Sequence, residues 1–383
     1  MRDQYGERMN AQEMRTASGL SLVFAFRMLG MFMVLPVLAT YGMDLKGATP
    51  ALIGLAIGAY GLTQAVLQIP FGMISDRIGR FPVIYAGLLI FALGAVVSAM
   101  SDSIWGVIAG RILQGAGAIS AVVMALLSDL TREQHRTKAM AMIGMSIGLS
   151  FAAAMVIGPL ITKTFGLSGL FWFTALMAVL GGVIIATLPK PSRLLRHRES
   201  GVAKQALWST LRHKELLRLD LSISVLHAVL MASFVVLPLA LVDFGGLARE
   251  EHWKVSLGAM VVGFIGMVPF IIYGETKRKM RQILWGAVAV LIAVELYFWA
   301  FGYSLWALAI GMTLFFIAFN LLEASLPSLI SKVAPAGSKG TAMGVYSTSQ
   351  FLGAALGGIL GGWLYSLGGA APVFIGCAML CPR

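Results

Sequence analysis

Charge is what this sequence has least of. Only 12% of its 383 residues are Asp, Glu, Lys or Arg, about half the share of a soluble domain, which excludes a chain of two or three water-facing domains. Cysteine is nearly missing as well. The two present, Cys377 and Cys381, fall in the last apolar stretch and imply neither a disulfide framework nor a metal site. No metal-ligand cluster, nucleophile constellation or phosphate-binding glycine loop stands out. Neither an enzyme nor a bound metal or cofactor is therefore expected. What is abundant is apolar: hydrophobic residues make up 58% of the chain and the mean hydropathy is +0.85. The 44 glycines and 22 methionines suit close helix packing and adaptable apolar surfaces.

An α-helix crosses the hydrocarbon core with about 20 mostly apolar residues. Eleven such stretches occur, at 17–43, 50–75, 81–100, 103–131, 136–163, 166–188, 218–244, 251–274, 283–302, 304–331 and 340–366. A twelfth begins near Ala371 and holds about ten apolar residues before Arg383, so an incomplete last helix is expected. The first run is too long for a cleavable signal peptide and follows a mixed-sign arm. Continuous apolar runs argue against strands, which would alternate. In lipid each amide must be satisfied within its own segment, so helices follow.

The net charge of +12 would suit nucleic acid if the basic residues shared one aqueous face. They do not. With the amino terminus inside, cytoplasmic segments hold Arg2, Arg8, Arg15, Arg77, Arg80, Arg132, Arg136 and Lys138, a basic connector from Lys190 to Arg218, then Lys277, Arg278, Lys279, Arg281, Lys332 and Lys339. The other side holds Lys46, Lys163, Arg249 and Lys254. Such asymmetry places the amino terminus in the cytoplasm and excludes a nucleic-acid partner.

The connector divides the chain into an amino-terminal bundle (1–188), a linker (189–217) and a carboxy-terminal bundle (218–383). Its part from Lys204 to Leu217 reads either as an amphipathic surface helix or as a solvated basic linker. The halves echo each other at an offset of 203, Ser128 falling on Ser331, Arg136 on Lys339, Ala139 on Ala342 and Met140 on Met343. Asp76 and Arg80 likewise correspond to Glu275 and Lys279. Parallel six-helix repeats point to a transporter with its site between the halves.

Gly72-Met-Ile-Ser-Asp76-Arg77-Ile-Gly79-Arg80 joins spans 2 and 3. Gly72 permits close helix approach, Gly79 a tight turn, Asp76 suits a helix amino terminus, and Arg77 and Arg80 suit carboxylates or lipid phosphate. The pattern resembles motif A of the major facilitator superfamily, with Phe81 where a second basic residue is common. Arg111-Ile-Leu-Gln114-Gly115-Ala-Gly117 resembles its motif B. Gly148 through Gly158-Pro159 resembles motif C of the drug:proton antiporter branch, although Ile161-Thr162 replace the expected glycines. Segments Arg27 to Pro36, Leu127 to Glu133 and Tyr346 to Gly353 look like those of YajR-type transporters, whose small soluble carboxy-terminal domain is not expected here. The resemblance implies an all-α membrane protein of two pseudo-symmetric six-helix bundles, multi-pass and monomeric in a bacterial inner membrane. It also implies a latch: Asp76 against the start of helix 11 near Gly340 and Thr341, and Arg80 paired with Asp129. The alternative is that these charges only hold the loop and set topology.

A charge at the bilayer centre costs about 2.5–3.5 kcal/mol on insertion scales. Arg27 (span 1), Arg111 with neighbouring Gln114 (span 4), His227 (span 7) and Asn320 with Glu323 (span 10) sit mid-membrane. The superfamily lines its central cavity with these four helices, so they are the candidate substrate and proton positions. Glu323 and His227 are the candidate proton carriers, carboxyl and imidazole being groups that exchange protons at accessible pH. A fixed salt bridge from Glu323 to Arg27 or Arg111, and a packing role for His227, are the competing readings. Arg27 leaves room for anionic or zwitterionic substrates. Gln64, Gln68 and Gln350 are expected to hydrogen-bond across the halves, Gly353, Gly357 and Gly361 to form a packing face, and Asp220 and Asp243 to meet solvent. Glu295, on a peripheral helix, is placed outside the cavity. The expected activity is proton-coupled efflux of a small amphipathic or drug-like molecule; the alternative is proton symport of a metabolite such as a sugar or organic anion.

Overall fold

The computed structural model describes residues 9–189, 207–208, 210–335 and 339–380. Its described residues form helices joined by short turns: α1 (Ala11–Tyr41), α2 (Pro50–Ile78), α3 (Arg80–Ala99), α4 (Ile104–Ala116), α5 (Ser120–Asp129), α6 (Glu133–Ala186), α7 (Lys214–Asp243), α8 (His252–Thr276), α9 (Met280–Phe301), α10 (Leu305–Val333), α11 (Lys339–Gly368) and α12 (Ala370–Leu380). The expected spans are present with two refinements. Spans 5 and 6 form one continuous α6 that bends at Gly166, where φ is 68°. Span 4 is broken into α4 and α5 around Gly117. The short α12 has 11 residues. Most of the connector, the expected Arg136–Lys339 echo at its side chains, and Cys381 lie outside the described residues.

Local signals set the helix starts. Thr49, Ser103 and Ser304 accept from backbone amides three residues on, at Leu52, Gly106 and Ala307, satisfying donors that a helix leaves unpaired. Asn10 and Glu13 form a reciprocal capping box at the head of α1. Gly79, at φ 102°, takes the chain from α2 into α3 through a conformation closed to other residues.

In the first half α1 packs on α6 and α3 on α4 and α6. In the second, α7 packs on α11, α8 on α10, and α9 on α10 and α12. The α7–α11 seam is the expected small-residue face, with Gly353, Gly357 and Gly361 against the Ser224, Ala228 and Ala232 backbone. The halves meet through α2–α11, α6–α8 and α1–α7. We call the face carrying Arg77, Arg80 and Lys277 the basic face. On the opposite face Gly54 seats directly on Gly358 and Gly362, and Arg249 pairs with Asp44 at 3.2 Å. Near the basic face no comparable packing joins α5 to α10 among the described residues.

Candidate substrate and proton site

Three helices of the second half converge on one polar cluster. Glu323 comes from α10, His227 from α7 and Gln350 from α11. The Gln350 amide nitrogen donates to Glu323 Oε1 at 3.2 Å and lies 2.8 Å from His227 Nε2. His227 Nδ1 is 3.2 Å from the Ile223 carbonyl oxygen. A carbonyl only accepts, so Nδ1 carries the hydrogen and Nε2 is left to accept from Gln350, as in a neutral imidazole. Glu323 Oε2 has no hydrogen-bond partner and lies 3.9 Å from His227 Nδ1. The Glu323 side chain is 31% exposed while His227 is 7%, but Glu323 Oε2 itself is buried. Asn320, one turn before Glu323, leaves its amide nitrogen without a partner.

The first-half candidates turn elsewhere. Arg27 donates to Ser120 Oγ (3.1 Å), Tyr60 Oη (3.3 Å) and Gln64 Oε1 (2.9 Å) and lies 5.4 Å from the Phe91 ring centre. Arg111 donates to the Ala56 carbonyl (3.3 Å) and Gln114 Oε1 (3.0 Å) and lies 4.8 Å from the Tyr60 ring centre. Both guanidinium groups therefore face their own half rather than the surface between halves. Neither pairs with a carboxylate among the described residues, so the fixed bridge to Glu323 is not formed. Gln64 donates to Gln68, and Gln68 donates across the halves to Thr348 Oγ1 at 3.4 Å. Gln350, expected to cross, bonds within its own half because α11 turns it toward α7 and α10.

Arg80 pairs with Asp129 at 3.1 Å and with Asp76, and Arg80 also donates to Ser75 Oγ at 2.6 Å. Arg77 is exposed, and the surroundings of Gly340 lie outside the described residues. Gly72 corrects the expectation of close approach: among the described residues a Cβ there would meet nothing within 4 Å, so that face of α2 is not packed against a neighbouring helix. Gly158, beside Pro159, does sit at a crossing, 3.0 Å from the Met33 carbonyl of α1 when a Cβ is added.

One acidic residue departs from its expected place. Asp220 was expected at solvent, yet it is 4% exposed with both carboxyl oxygens unpartnered; the helix end is wet, but its inner face packs on α11. Asp243 is exposed as expected. Glu295 is wholly buried and accepts from Ser233 Oγ at 2.9 Å, inside the second half. A seven-residue spacing from Asp220 to His227, which returns a helix to the same face, was the available signal.

The profile of the Major Facilitator Superfamily matches residues 20–358. The chain is 56% identical over 374 residues to the inner membrane transport protein YajR of Escherichia coli, covering 97% of this chain and 82% of that one. It is 24% identical over 343 residues to the multidrug resistance protein MdtH of Proteus mirabilis, covering 89% and 84%. Among solved structures, a D-xylose-proton symporter superposes with a TM-score of 0.74 at 14% identity, covering 97% of this chain and 96% of that one. Among the described residues ten helical segments are long and apolar enough to cross a membrane, one of them the bent α6 from Lys138. With its helical halves, its loop charges and these matches, the chain belongs to the major facilitator superfamily of membrane transporters.

Proposed function

We propose that this transporter is proton-coupled and exports a small amphipathic or drug-like molecule from the cytoplasm across a bacterial inner membrane, as a monomer. The halves 1–188 and 218–383 rock about a site near the midplane, joined by the cytoplasmic segment 189–217. The observation that carries the reading is the Glu323–Gln350–His227 cluster. One amide serves two titratable groups, so a proton on His227 Nε2 removes the acceptor that Gln350 now uses. The amide must then turn its oxygen to the imidazolium, and Glu323 loses its donor. Proton load and side-chain arrangement are thereby linked, which is what coupling requires.

Positive-inside asymmetry makes the basic face cytoplasmic. The packing of Gly54 on Gly358 and Gly362 and the Asp44–Arg249 pair then support a state closed to the periplasm. In the reverse state Asp76 would turn from Arg80 to the start of α11 and, with Arg80–Asp129, latch the cytoplasmic side. Export is supported by the Gly158-Pro159 crossing against α1 and by the resemblance to the multidrug resistance relatives.

The test is purified protein in liposomes with an imposed pH gradient, followed with ethidium and with a fluorescent organic anion. Movement of one probe against proton flow, lost in Glu323→Gln, is expected. Gradient-independent movement would sink the proton-coupled reading. Movement with the protons would replace export by the symport alternative.

A further inference from the structure

Glu323 Oε2 is buried and His227 is 7% exposed, so a proton leaving Oε2 for the cytoplasm needs a path. Helix geometry supplies one. Along α7, Asp220 and His227 are seven residues apart, about 10 Å and two turns on one face. Along α11, Tyr346 and Gln350 are one turn apart on one face. Asp220 and Tyr346 thus form a layer directly on the cytoplasmic side of the His227–Gln350–Glu323 layer, about 10 Å in from the basic ends of their helices by rise per residue.

This outer layer is wholly polar at its core and wholly unpartnered. Asp220 is 4% exposed and Tyr346 3%. Both Asp220 oxygens, the Tyr346 hydroxyl and Glu323 Oε2 have no hydrogen-bond partner. Tyr346 lies within electrostatic reach of both carboxyl groups, and no Lys or Arg pairs with Asp220 among the described residues. A buried polar group without a partner costs about 1–3 kcal/mol, so three in succession are not a packing solution. Their sequence in space matches a relay.

We propose that Tyr346 and Asp220 are the cytoplasmic leg of the proton route from Glu323, with Tyr346 as the relaying hydroxyl and Asp220 as the terminal acceptor. With a water bridging each gap, the proton on the Glu323 carboxyl reaches the Tyr346 oxygen as the Tyr346 O–H proton moves on to an Asp220 oxygen, each water accepting one proton and giving up another. One O–H bond breaks at Glu323 and one forms at Asp220, and tyrosine ends neutral. The proposal rests on the proton-coupled reading of Glu323.

Infrared spectroscopy of the lipid-reconstituted protein tests it through the C=O stretch of a protonated Glu323, identified as the band missing in Glu323→Gln. On transfer to heavy water the band shifts as Glu323 exchanges its proton. Exchange is expected to slow about a hundredfold in Asp220→Asn and in Tyr346→Phe, the low end of what a positioned proton-transfer group supplies. Asp220→Glu, which keeps the acid, should restore it, and Asp243→Asn at the exposed far end of α7 should leave it unchanged. Wild-type exchange in both Asp220→Asn and Tyr346→Phe would overturn the relay while leaving the central site standing. Absence of any Glu323-dependent band at every pH would instead overturn the proton-carrier reading, and the relay with it.

Discussion

The contact most open to a quantitative test is the one that holds the halves together on the face opposite the basic one. An alanine at position 54 would place its Cβ 2.4 Å from the Gly358 carbonyl oxygen and 2.6 Å from Gly362 Cα. Both neighbours are backbone, so no side chain can swing aside. Ordinary contact begins near 3.4 Å, and α2 and α11 must separate by about 1 Å in an interior that packs like a crystal. Such overpacking costs about 1–3 kcal/mol. If the outward-open state parts these helices, as alternating access requires, the whole cost falls on the state described here. The population then moves by about 5- to 150-fold toward the other. The assay is a distance distribution between spin labels at positions 43 and 244, both exposed on the face opposite the basic one and in opposite halves, with Cys377 and Cys381 replaced. Gly54→Ala should enrich the longer distance. Gly72→Ala, whose Cβ meets nothing within 4 Å, should not. Coinciding distributions for wild type and Gly54→Ala would refute the assignment of this contact as the periplasmic closure.

Two further outcomes follow from other contacts. Arg249→Ala removes a pair whose side chains are 47% and 64% exposed, worth about 0.2–1 kcal/mol and screened by salt; the same labels should report a smaller opening than Gly54→Ala, matched in wild type by high salt, and equal or larger opening would assign the gate to the ion pair. Gln350→Leu strips the shared donor from His227 and Glu323 while nearly keeping volume; the pH at which probe transport is half-maximal should move, and superimposable pH profiles would remove Gln350 from the coupling.

How much of the site was legible depends on what each residue needed. The pairing of Arg80 with Asp129 came only through the resemblance to motif A, since Asp129 lies 49 residues on in another helix and nothing in the loop's own spacing points to it. Glu323 and His227 were readable as costly residues mid-membrane, but not as partners through Gln350. Arg27 and Arg111 carried the same cost and turned out to face Tyr60, Gln64 and Ser120 inside their own half. Asp220 looked wet from its place near a helix end, and its burial against α11 appears only when the helices are packed.

Run length and charge placement along the chain decide that this is a helical membrane protein of two echoing halves, because the bilayer demands about 20 apolar residues per span and basic loops on one side. They do not decide which way each helix turns. A span that is apolar all round has no stripe to orient it, so rotation is set by close backbone contacts such as Gly54 on Gly358 and Gly353 on Ser224. That rotation, absent from any one-dimensional pattern, brings His227, Gln350 and Glu323 together and leaves Asp220 and Tyr346 beside them.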